Sequence, residues 1–487
     1  MNREFFINIL FLVAINLLIK PFYLFGIDRT VQNVVDPGAY GLYFALFNFT
    51  FLFQIVNDLG IQYFNNRNIA QHRQLLDKYF PHMLVLKGVL ALVFLLLLAA
   101  FALLSGYRVA LLPLIVLLGF NQVLSSLILF LRSNISGLGL YRTDSMISAL
   151  DRLLLIFIGG ALLLIPGVRR QFQIEWFVLA QSGSLALTAV TAYGVVRRRL
   201  RSLRFRWRPA FWRLILRQSL PYAAVIFLMT VYTRIDGVMI ERLSSNGLIE
   251  ADLYASAYRL LDAANVIGFL FAGLLFPMFA RMLNQPAAIG SLLRLSLPLL
   301  WAGAGALAAS VFFFRTEIMV ALYTSGGAYS GWILAWLMLS FVAITGSYIY
   351  GTLLSAQGAL RAMNIISLGG VILNIGLNCW LIEHYQALGA AAATCLTQFG
   401  VFFAQLLTAR RKMRLQVHPR MIFKILLFFS TLIILNYLLS QFVTGVWWWR
   451  FIAGMAAGLG MAFLLKMIDL RYLFALLRQK EEAWELE

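Results

Sequence analysis

The sequence carries little charge for its length. Only 12% of its 487 residues are charged, whereas soluble chains of this size carry about twice that fraction. Hydrophobic residues make up 61% of the chain, and the mean hydropathy is +0.83. A water-soluble globular protein is therefore excluded, because lipid is the solvent that accepts so much apolar surface on the outside of helices.

Cysteine and histidine are also scarce. Cys379 and Cys395 both lie in apolar runs, and the four histidines form no cluster with cysteines or acids. This inventory predicts no disulfide framework, no metal site and no cofactor. The net charge of +20 would suggest a nucleic-acid partner in a soluble protein. Here the cations fall in short links between apolar segments, where they set membrane topology, so we expect no nucleic-acid binding.

About fourteen apolar segments are long enough to cross a bilayer as helices, which takes about 20 residues. The links between them are too short to hold a soluble domain. The sequence therefore predicts an all-α polytopic membrane protein. The predicted spans are residues 5–27, 39–64, 79–104, 109–131, 146–166, 175–196, 219–240, 252–280, 295–314, 330–354, 364–382, 387–408, 421–440 and 449–468.

Lysine and arginine alternate between rich and poor links, and such asymmetry sets the orientation of a membrane protein. The pattern predicts an even number of spans with both termini in the cytoplasm. The richest link, residues 197–217, holds nine arginines and no acid. A basic link of this kind anchors topology between two halves, and it is also able to attract anionic lipids.

The chain repeats itself. A shift of 214 residues places Tyr40 on Tyr254, and a shift of 219 places the motif Ser-x-x-Gly-x-x-Arg at 136–142 on the same motif at 355–361. These matches predict two pseudo-symmetric six-helix bundles followed by two further helices. The predicted domains are a first bundle at 1–200, a basic cytoplasmic connector at 201–218, a second bundle at 219–412, and two additional spans with a cytoplasmic tail at 413–487.

Several cations lie within the predicted spans. A charged side chain at the middle of a bilayer costs on the order of 2.5–3.5 kcal/mol on insertion scales, so such residues usually face a cavity and serve a function. The alternatives are pairing within a helix, as for Arg259 with Asp262, and snorkelling to the membrane surface, which we prefer for Asp58, Asp151 and Arg152. The predicted substrate-binding residues are Lys20, Lys87, Arg234 and Arg259.

Two of these cations occupy equivalent places, because the shift of 214 residues puts Lys20 on Arg234. Two cations that face one cavity repel each other unless an anion bridges them. A phosphate or pyrophosphate group would do so, since it accepts charge-assisted hydrogen bonds from both. The spacing therefore favours an anionic substrate held between the two repeats.

A second polar group contains oxygen ligands. Asn374 and Asn378 are one turn apart on one predicted helix, and Thr394 lies on the next. Together with Asp236 they could surround a small coupling cation, Na+ or H+. Hydrogen bonding between helices is the alternative explanation of these polar residues.

Three motifs are characteristic: Tyr-Thr-Arg-Ile-Asp-Gly at 232–237, Asp-x-Tyr-x-x-Ala-Tyr-Arg-Leu at 252–260, and Asp-Pro-Gly-Ala-Tyr-Gly-Leu-Tyr at 36–43. They give the chain a resemblance to the polysaccharide-biosynthesis branch of the multidrug/oligosaccharidyl-lipid/polysaccharide exporter superfamily. It extends from about residue 1 to 412. It implies two six-helix bundles around a cavity, alternating access, and export of undecaprenyl-pyrophosphate-linked O-antigen, capsule or exopolysaccharide units. It also implies a coupling-cation site, although Asn378 stands where lipid II flippases of the superfamily carry an acid.

Three functions compete on this basis. The first is a flippase for lipid-linked oligosaccharides in the bacterial inner membrane, working as a monomer among membrane lipids and beside other envelope glycan assembly proteins. The second is a cation-coupled multidrug exporter of the same fold, which would favour an acidic cavity. The third is an enzyme of envelope polysaccharide synthesis, which needs catalytic acids or bases in sizeable outer loops. The short predicted outer loops and the basic character of the spans favour the first and predict no enzymatic activity.

Overall fold

The computed structural model describes residues 15, 18–62, 65, 76–200, 209–283, 286–415 and 419–467. Within these ranges the chain is built from helices and turns, without a β-strand. Most of the first predicted span, residues 201–208 of the basic connector, and the tail from residue 468 lie outside the described residues. The prediction of an all-α fold is confirmed.

The helices follow the predicted spans closely. The π-helical segment Tyr23–Asp28 precedes α1, and the last two helices, α13 and α14, correspond to the spans predicted beyond the repeat. The helices are α1 (Arg29–Val34), α2 (Ala39–Leu52), α3 (Gln54–Asp58), α4 (Leu76–Leu104), α5 (Leu112–Gly137), α6 (Tyr141–Leu164), α7 (Ile174–Arg197), α8 (Pro209–Leu243), α9 (Gly247–Met282), α10 (Pro286–Leu322), α11 (Ala328–Ala356), α12 (Leu360–Met413), α13 (Pro419–Phe442) and α14 (Trp447–Leu464).

Two helices differ from the predicted spans. Helix α12 has 54 residues, or about 81 Å at 1.5 Å per residue, far more than a bilayer core of about 30 Å. Gln386 has a non-helical backbone with φ 53°, and it divides α12 into the two spans that the sequence predicts. The second predicted span is broken at Phe53, between α2 and α3, and again after Asp58. Ten helices among the described residues are long and apolar enough to cross a membrane.

The repeated glycine motif forms the same helix end in both repeats. Gly139 has φ +83° and Gly358 has φ +72°, a region that favours glycine. The amides of Gly139 and Leu140 donate to the carbonyls of Ser136 and Ile135. In the second repeat, residues 358 and 359 make the equivalent bonds to residues 355 and 354. Both are Schellman ends, so the repeat seen in the sequence is a repeat of local structure.

The chain divides into two compact units, Met1–Ser256 and Ala257–Glu487. The core of the first unit lies among α4, α5, α6, α7 and the start of α8, where the rings of Phe80 and Phe130 stack 5.6 Å apart. In the second unit, α10 packs against α11, and α11 packs against α12. A smaller core joins α10 to α13 and α14, where the hydroxyl of Ser310 donates to the buried Asn436 at 3.1 Å.

A close backbone approach joins α2 to the start of α9 in the first unit. A Cβ atom at Gly41 would overlap the carbonyl oxygen of Leu248 and would lie 2.7 Å from the amide nitrogen of Asp252. Nearby, the side-chain amide of Gln32 donates to the Asp252 carboxylate at 2.6 Å and to its carbonyl at 3.0 Å. Only glycine fits at position 41, so this contact requires the small residue found there.

The turn between α4 and α5 is attached to the end of α8. The hydroxyl of buried Tyr107 donates to Glu241 at 3.1 Å, and the Arg242 guanidinium lies 3.8 Å from the centre of the Tyr107 ring. Burial, reinforced by the charge of Glu241, raises the pKa of Tyr107 to about 12. Its hydroxyl therefore remains a hydrogen-bond donor throughout the physiological pH range.

Candidate functional site

The most buried cation among the described residues of the first unit is Lys87 on α4, which is 4% exposed. Its ammonium lies 2.6 Å from Oδ1 of Asp58 and 3.1 Å from the carbonyl oxygen of Asn57, and it also donates to the hydroxyl of Ser126. A lysine ammonium has three donors, so all of its hydrogen-bonding capacity is used within the protein. Desolvation of this cation is thereby compensated.

The Lys87 site coincides with a break in the helix. Leu59 has φ 46° and Gly60 has φ 78°, so the α3 helix ends there. The ends of helices leave carbonyls without intrahelical partners, and Lys87 bonds the carbonyl of Asn57 at this end. On the far side of the break, Oδ2 of Asp58 lies 3.4 Å from the amide nitrogen of Gln62. Asp58 and Lys87 together stabilise the interruption.

Lys20 lies in a different setting. It is half-buried, and it makes no hydrogen bond or ion pair with the described residues. The charged groups acting on it are Arg152 and Asp151 of α6 and Arg132 of α5. The segment Tyr23–Asp28, which begins three residues after Lys20, packs against α6.

Arg152 is positioned by an aromatic ring and a neighbouring acid. Its guanidinium lies 4.7 Å from the centre of the Tyr23 ring, and its Nε lies 3.5 Å from Oδ2 of Asp151. The side chain is 39% exposed. Arg132, by contrast, is committed to Asp144, because Nε and Nη2 bond the two carboxylate oxygens at 2.7 and 3.3 Å.

A buried carboxylate completes this group. Asp28, 2% exposed, ends the π-helical segment and accepts hydrogen bonds from Tyr23 at 3.2 Å and from Tyr40 at 2.8 Å. π-Helical turns occur frequently at functional sites. Tyr43, one turn after Tyr40 along α2, accepts a 2.9 Å bond from the side chain of Gln181 on α7. The first unit therefore contains a polar group in which tyrosines orient acids.

The equivalent stretch of α8 has a related arrangement. Arg234 is half-buried, with its guanidinium 5.4 Å from the centre of the Phe51 ring. Asp236 is 1% exposed, and its Oδ2 accepts a 2.9 Å hydrogen bond from Tyr254. A Cβ atom at the adjacent Gly237 would lie 2.6 Å from the side-chain nitrogen of Asn48, so α8 and α2 are tightly packed here.

In the second unit, the candidate residues pair locally. Arg259 approaches Asp262 of its own helix, with Nη1 3.8 Å from Oδ2. Asn378 donates to Asn374 at 3.1 Å, and both side chains are fully buried. Thr394 is 3% exposed on the second half of α12. Among the described residues, no cluster of three or more His, Cys, Asp or Glu side chains is suited to a metal ion.

The sequence missed part of this arrangement. Asp28 falls one residue beyond the first predicted span and received no role, and Asp58 is 29 positions from its partner Lys87. Asp151 and Arg152 were interpreted as snorkelling residues, yet the Arg152 guanidinium lies over the ring of Tyr23 from the first helical segment. The sequence offers one signal for these contacts: cations lie in predicted spans without an acid nearby in the sequence.

Comparison with known structures identifies the fold. A lipid II flippase, MurJ, in an inward closed conformation superposes with a TM-score of 0.68 at 13% identity, over 97% of this chain and 99% of that one. An inward-facing multidrug resistance transporter of the MATE family gives 0.63 at 14% identity, over 80% and 94%. A transporter of the MOP superfamily from Pyrococcus furiosus, described as having a binding pocket of reverse polarity, superposes with a TM-score of 0.57 at 14% identity. The match covers 84% of this chain and 95% of that one. At these identities the similarity concerns the fold alone.

No curated protein sequence matches the chain. The model of the family described as "Polysaccharide biosynthesis protein" matches residues 7–283, which is more than half of the 487 residues. That stretch contains the intramembrane cations Lys20, Lys87, Arg234 and Arg259. The chain is thus a multi-pass membrane protein with the fold of MurJ and MATE transporters, and it belongs to the polysaccharide biosynthesis protein family.

Proposed function

We propose that the chain is a flippase that moves an undecaprenyl-pyrophosphate-linked oligosaccharide across the bacterial inner membrane by alternating access. The oligosaccharide would be an O-antigen, capsule or exopolysaccharide unit. The observation that carries the proposal is Lys20, a half-buried cation of the first predicted span that makes no hydrogen bond or ion pair with the described residues. Such a cation is costly unless it serves an anionic ligand. The family match points to polysaccharide assembly, where the carrier lipid supplies that anion.

Lys20 and Arg234 would bind the pyrophosphate, which is the part of the substrate that stays constant whatever the sugars are. The guanidinium of Arg234 lies 5.4 Å from the centre of the Phe51 ring, and its planar fork of nitrogens matches the geometry of a phosphate group. Arg259, whose Nη1 lies 3.8 Å from Oδ2 of Asp262, would assist. Lys87 has no spare donor, so it would bind the headgroup only by exchanging Asp58 for phosphate.

Transport would be driven by a coupling cation, Na+ or H+. Asp236 is the proposed acid, because it is buried and its carboxylate is oriented by Tyr254. Asn374, Asn378 and Thr394 remain the proposed oxygen ligands on α12. The protein would act as a monomer with both termini in the cytoplasm, alongside other proteins of envelope glycan assembly.

The experiment is deletion of the gene in its native host. Loss of the flippase should abolish the surface glycan and cause the lipid-linked unit to accumulate on the inner leaflet, while susceptibility to cationic drugs stays unchanged. A multidrug exporter gives the opposite result: normal surface glycan and increased drug susceptibility. The same outcome would contradict the flippase proposal.

A further inference from the structure

Two polar contacts in the first unit join residues from different sequence repeats. One links α1 and α2, from the first repeat, to the start of α9 in the second. The other links the turn between α4 and α5 to the end of α8. With both termini in the cytoplasm, the turns at these contacts lie on the outer side of the membrane. These turns are residues 35–38, 105–111 and 244–246.

The first contact is centred on Asp252 of α9. Nε2 of Gln32 on α1 donates to Oδ1 of Asp252 at 2.6 Å and to its backbone carbonyl at 3.0 Å. The backbone amide of Gly38, the N-cap residue of α2, also donates to the Asp252 carboxylate. A negative charge is favourable at a helix N-terminus, where the dipole is positive. One carboxylate from the second repeat thus holds two helices of the first.

The two repeats are also in direct backbone contact here. A Cβ atom at Gly38 would lie 3.3 Å from Cβ of Leu248, and one at Gly41 would overlap the Leu248 carbonyl oxygen. Gln32 and Asp252 are 6% and 8% exposed, although both lie close to helix ends. The contact leaves no passage between α2 and the start of α9, so it closes the route between these two helices.

The hydrogen bonding of this contact is incomplete. Oε1 of Gln32 is buried, and it accepts no hydrogen bond from the described residues. A buried acceptor without a donor costs free energy, because water satisfied it before burial. Water would bond this oxygen again if α1 and α2 moved away from α9. A contact with this property is easier to break than a fully bonded one, as is required of a contact that opens during transport.

We propose that Asp252 is a gating residue, whose contact with Gln32 and the N-terminus of α2 closes the outer side of the first unit and breaks in every transport cycle. The proposal rests on the flippase function, and it names the residues that separate when the substrate leaves outward. The second contact, in which Tyr107 donates to Glu241 at 3.1 Å, belongs to the same gate. The alternative is permanent packing, in which these helices never separate.

The test is a reversible cross-link across the gate, in a chain whose two native cysteines are replaced by serine. Gly38→Cys with Leu248→Cys is suited to a disulfide, since the Cβ separation of 3.3 Å is close to the ~3.5–4.5 Å found in disulfides. The oxidised pair should move no lipid-linked oligosaccharide in proteoliposomes, because the gate cannot open. Reduction should restore transport.

The control is Ala306→Cys with Gly458→Cys, where the corresponding separation is 3.1 Å. This pair joins α10 to α14, which pack together in the second unit, so its oxidised form should still transport. Equal transport by the oxidised and reduced gate pair, with the disulfide verified by mass spectrometry, would overturn the gate. Equal loss of transport in the two oxidised pairs would contradict a gate specific to the outer contact.

Hydrogen exchange of the full chain in nanodiscs gives a second readout, which needs no cysteine at Gly38. Asp252→Ala removes the acceptor of both donors, so amides at 35–45 and 244–256 should exchange about tenfold faster. Exchange should also rise at 105–111, in the second contact, because the outer side opens as a whole. Asp252→Asn keeps an acceptor and should give a smaller increase, whereas the exposed Glu383→Ala should match wild type.

An increase confined to the segments around Asp252 would contradict the gate and favour permanent packing, and so would unchanged exchange in Asp252→Ala. The outcome is separable from that of the proposed function. A wild-type protein that translocates no lipid-linked oligosaccharide refutes the flippase. The exchange at 105–111 then still decides whether the outer side opens through Asp252.

Discussion

Tyr40 and Tyr254 occupy equivalent positions in the two sequence repeats, and each donates a hydrogen bond to a buried aspartate. The bond from Tyr40 to Asp28 is 2.8 Å long, and that from Tyr254 to Asp236 is 2.9 Å long. Tyr40 lies on the second predicted span and Tyr254 on the eighth. In each case the aspartate precedes the tyrosine along the chain. The two tyrosines are equivalent under the shift of 214 residues, whereas Asp28 falls on Arg242, so each tyrosine bonds an acid from a different position of the repeat.

We expect Tyr40→Phe and Tyr254→Phe each to lower the free energy of unfolding by about 1.5–3 kcal/mol, since each removes a hydrogen bond to a buried acid. Thermal unfolding of the purified chain in nanodiscs measures the effect. Tyr385→Phe is the control, because Tyr385 is exposed and its hydroxyl makes no hydrogen bond with the described residues. Wild-type stability in both variants would show that the two contacts are incidental.

The Lys87–Asp58 pair should stabilise the helix break. Lys87→Met leaves Asp58 without its counterion and the Asn57 carbonyl without its donor, so we expect a loss of roughly 2–4 kcal/mol, less than for a fully buried pair because Asp58 is partly exposed. Lys87→Met combined with Asp58→Asn should recover part of that loss. The matched control is Lys412→Met at an exposed site. A double variant that is as unstable as the sum of the two single variants would exclude coupling between them.

The contact of α2 with the start of α9 should depend on the absence of a side chain at position 41. Gly41→Ala places a methyl group against the Leu248 carbonyl, and overpacking of this kind costs about 1–3 kcal/mol. Gly88→Ala is the matched control, because a Cβ atom at Gly88 has no neighbour within 4 Å and α4 gains helix propensity. Melting temperatures of the two variants should move in opposite directions. A neutral Gly41→Ala would show that the two helices separate easily.

The raised pKa of Tyr107 predicts that the free energy of unfolding depends on pH at high pH. Its pKa is about 12 in the folded protein and about 10 in an unfolded chain, so between these values the unfolded state loses the proton first. The contribution of Tyr107 to the free energy of unfolding is therefore fully present below pH 10. It is lost as the pH rises toward 12, by about 2–3 kcal/mol in total. The free energy of unfolding, measured from pH 9 to 11.5, should fall less steeply in Tyr107→Phe than in wild type. Parallel curves would refute the assignment.

The sequence predicted the fold well because the strongest signals in a membrane protein are local. Apolar runs predict the helices, and the glycine motif at 136–142 and 355–361 predicts equivalent helix ends. The kink at Gln386 was anticipated as a boundary between two spans. The sequence does not predict the breaks at Phe53 and after Asp58. The break after Asp58 is bonded by Lys87, which lies about 30 residues further along the chain, beyond the reach of a local pattern.

The candidate site was predicted only in part, for a similar reason. Cations within predicted spans are visible in a sequence because they interrupt apolar runs, and the predictions for Lys20 and Arg234 rest on this signal. The contacts of Arg152 and Asp28 are not visible in this way, because both residues lie near the ends of predicted spans, where charge is common. Only the packing of α6 against the segment Tyr23–Asp28 shows that the Arg152 guanidinium lies over the ring of Tyr23.

The most direct test of the central claim is translocation of a labelled undecaprenyl-pyrophosphate-linked oligosaccharide by the purified chain in proteoliposomes. We expect wild type and the control Arg170→Ala to move the lipid to the opposite leaflet. Lys20→Ala and Arg234→Ala should lose transport, and Lys20→Arg should retain part of it, because arginine keeps the charge but changes the donor geometry. Wild-type translocation by both Lys20→Ala and Arg234→Ala, at equal amounts of reconstituted protein, would contradict the account.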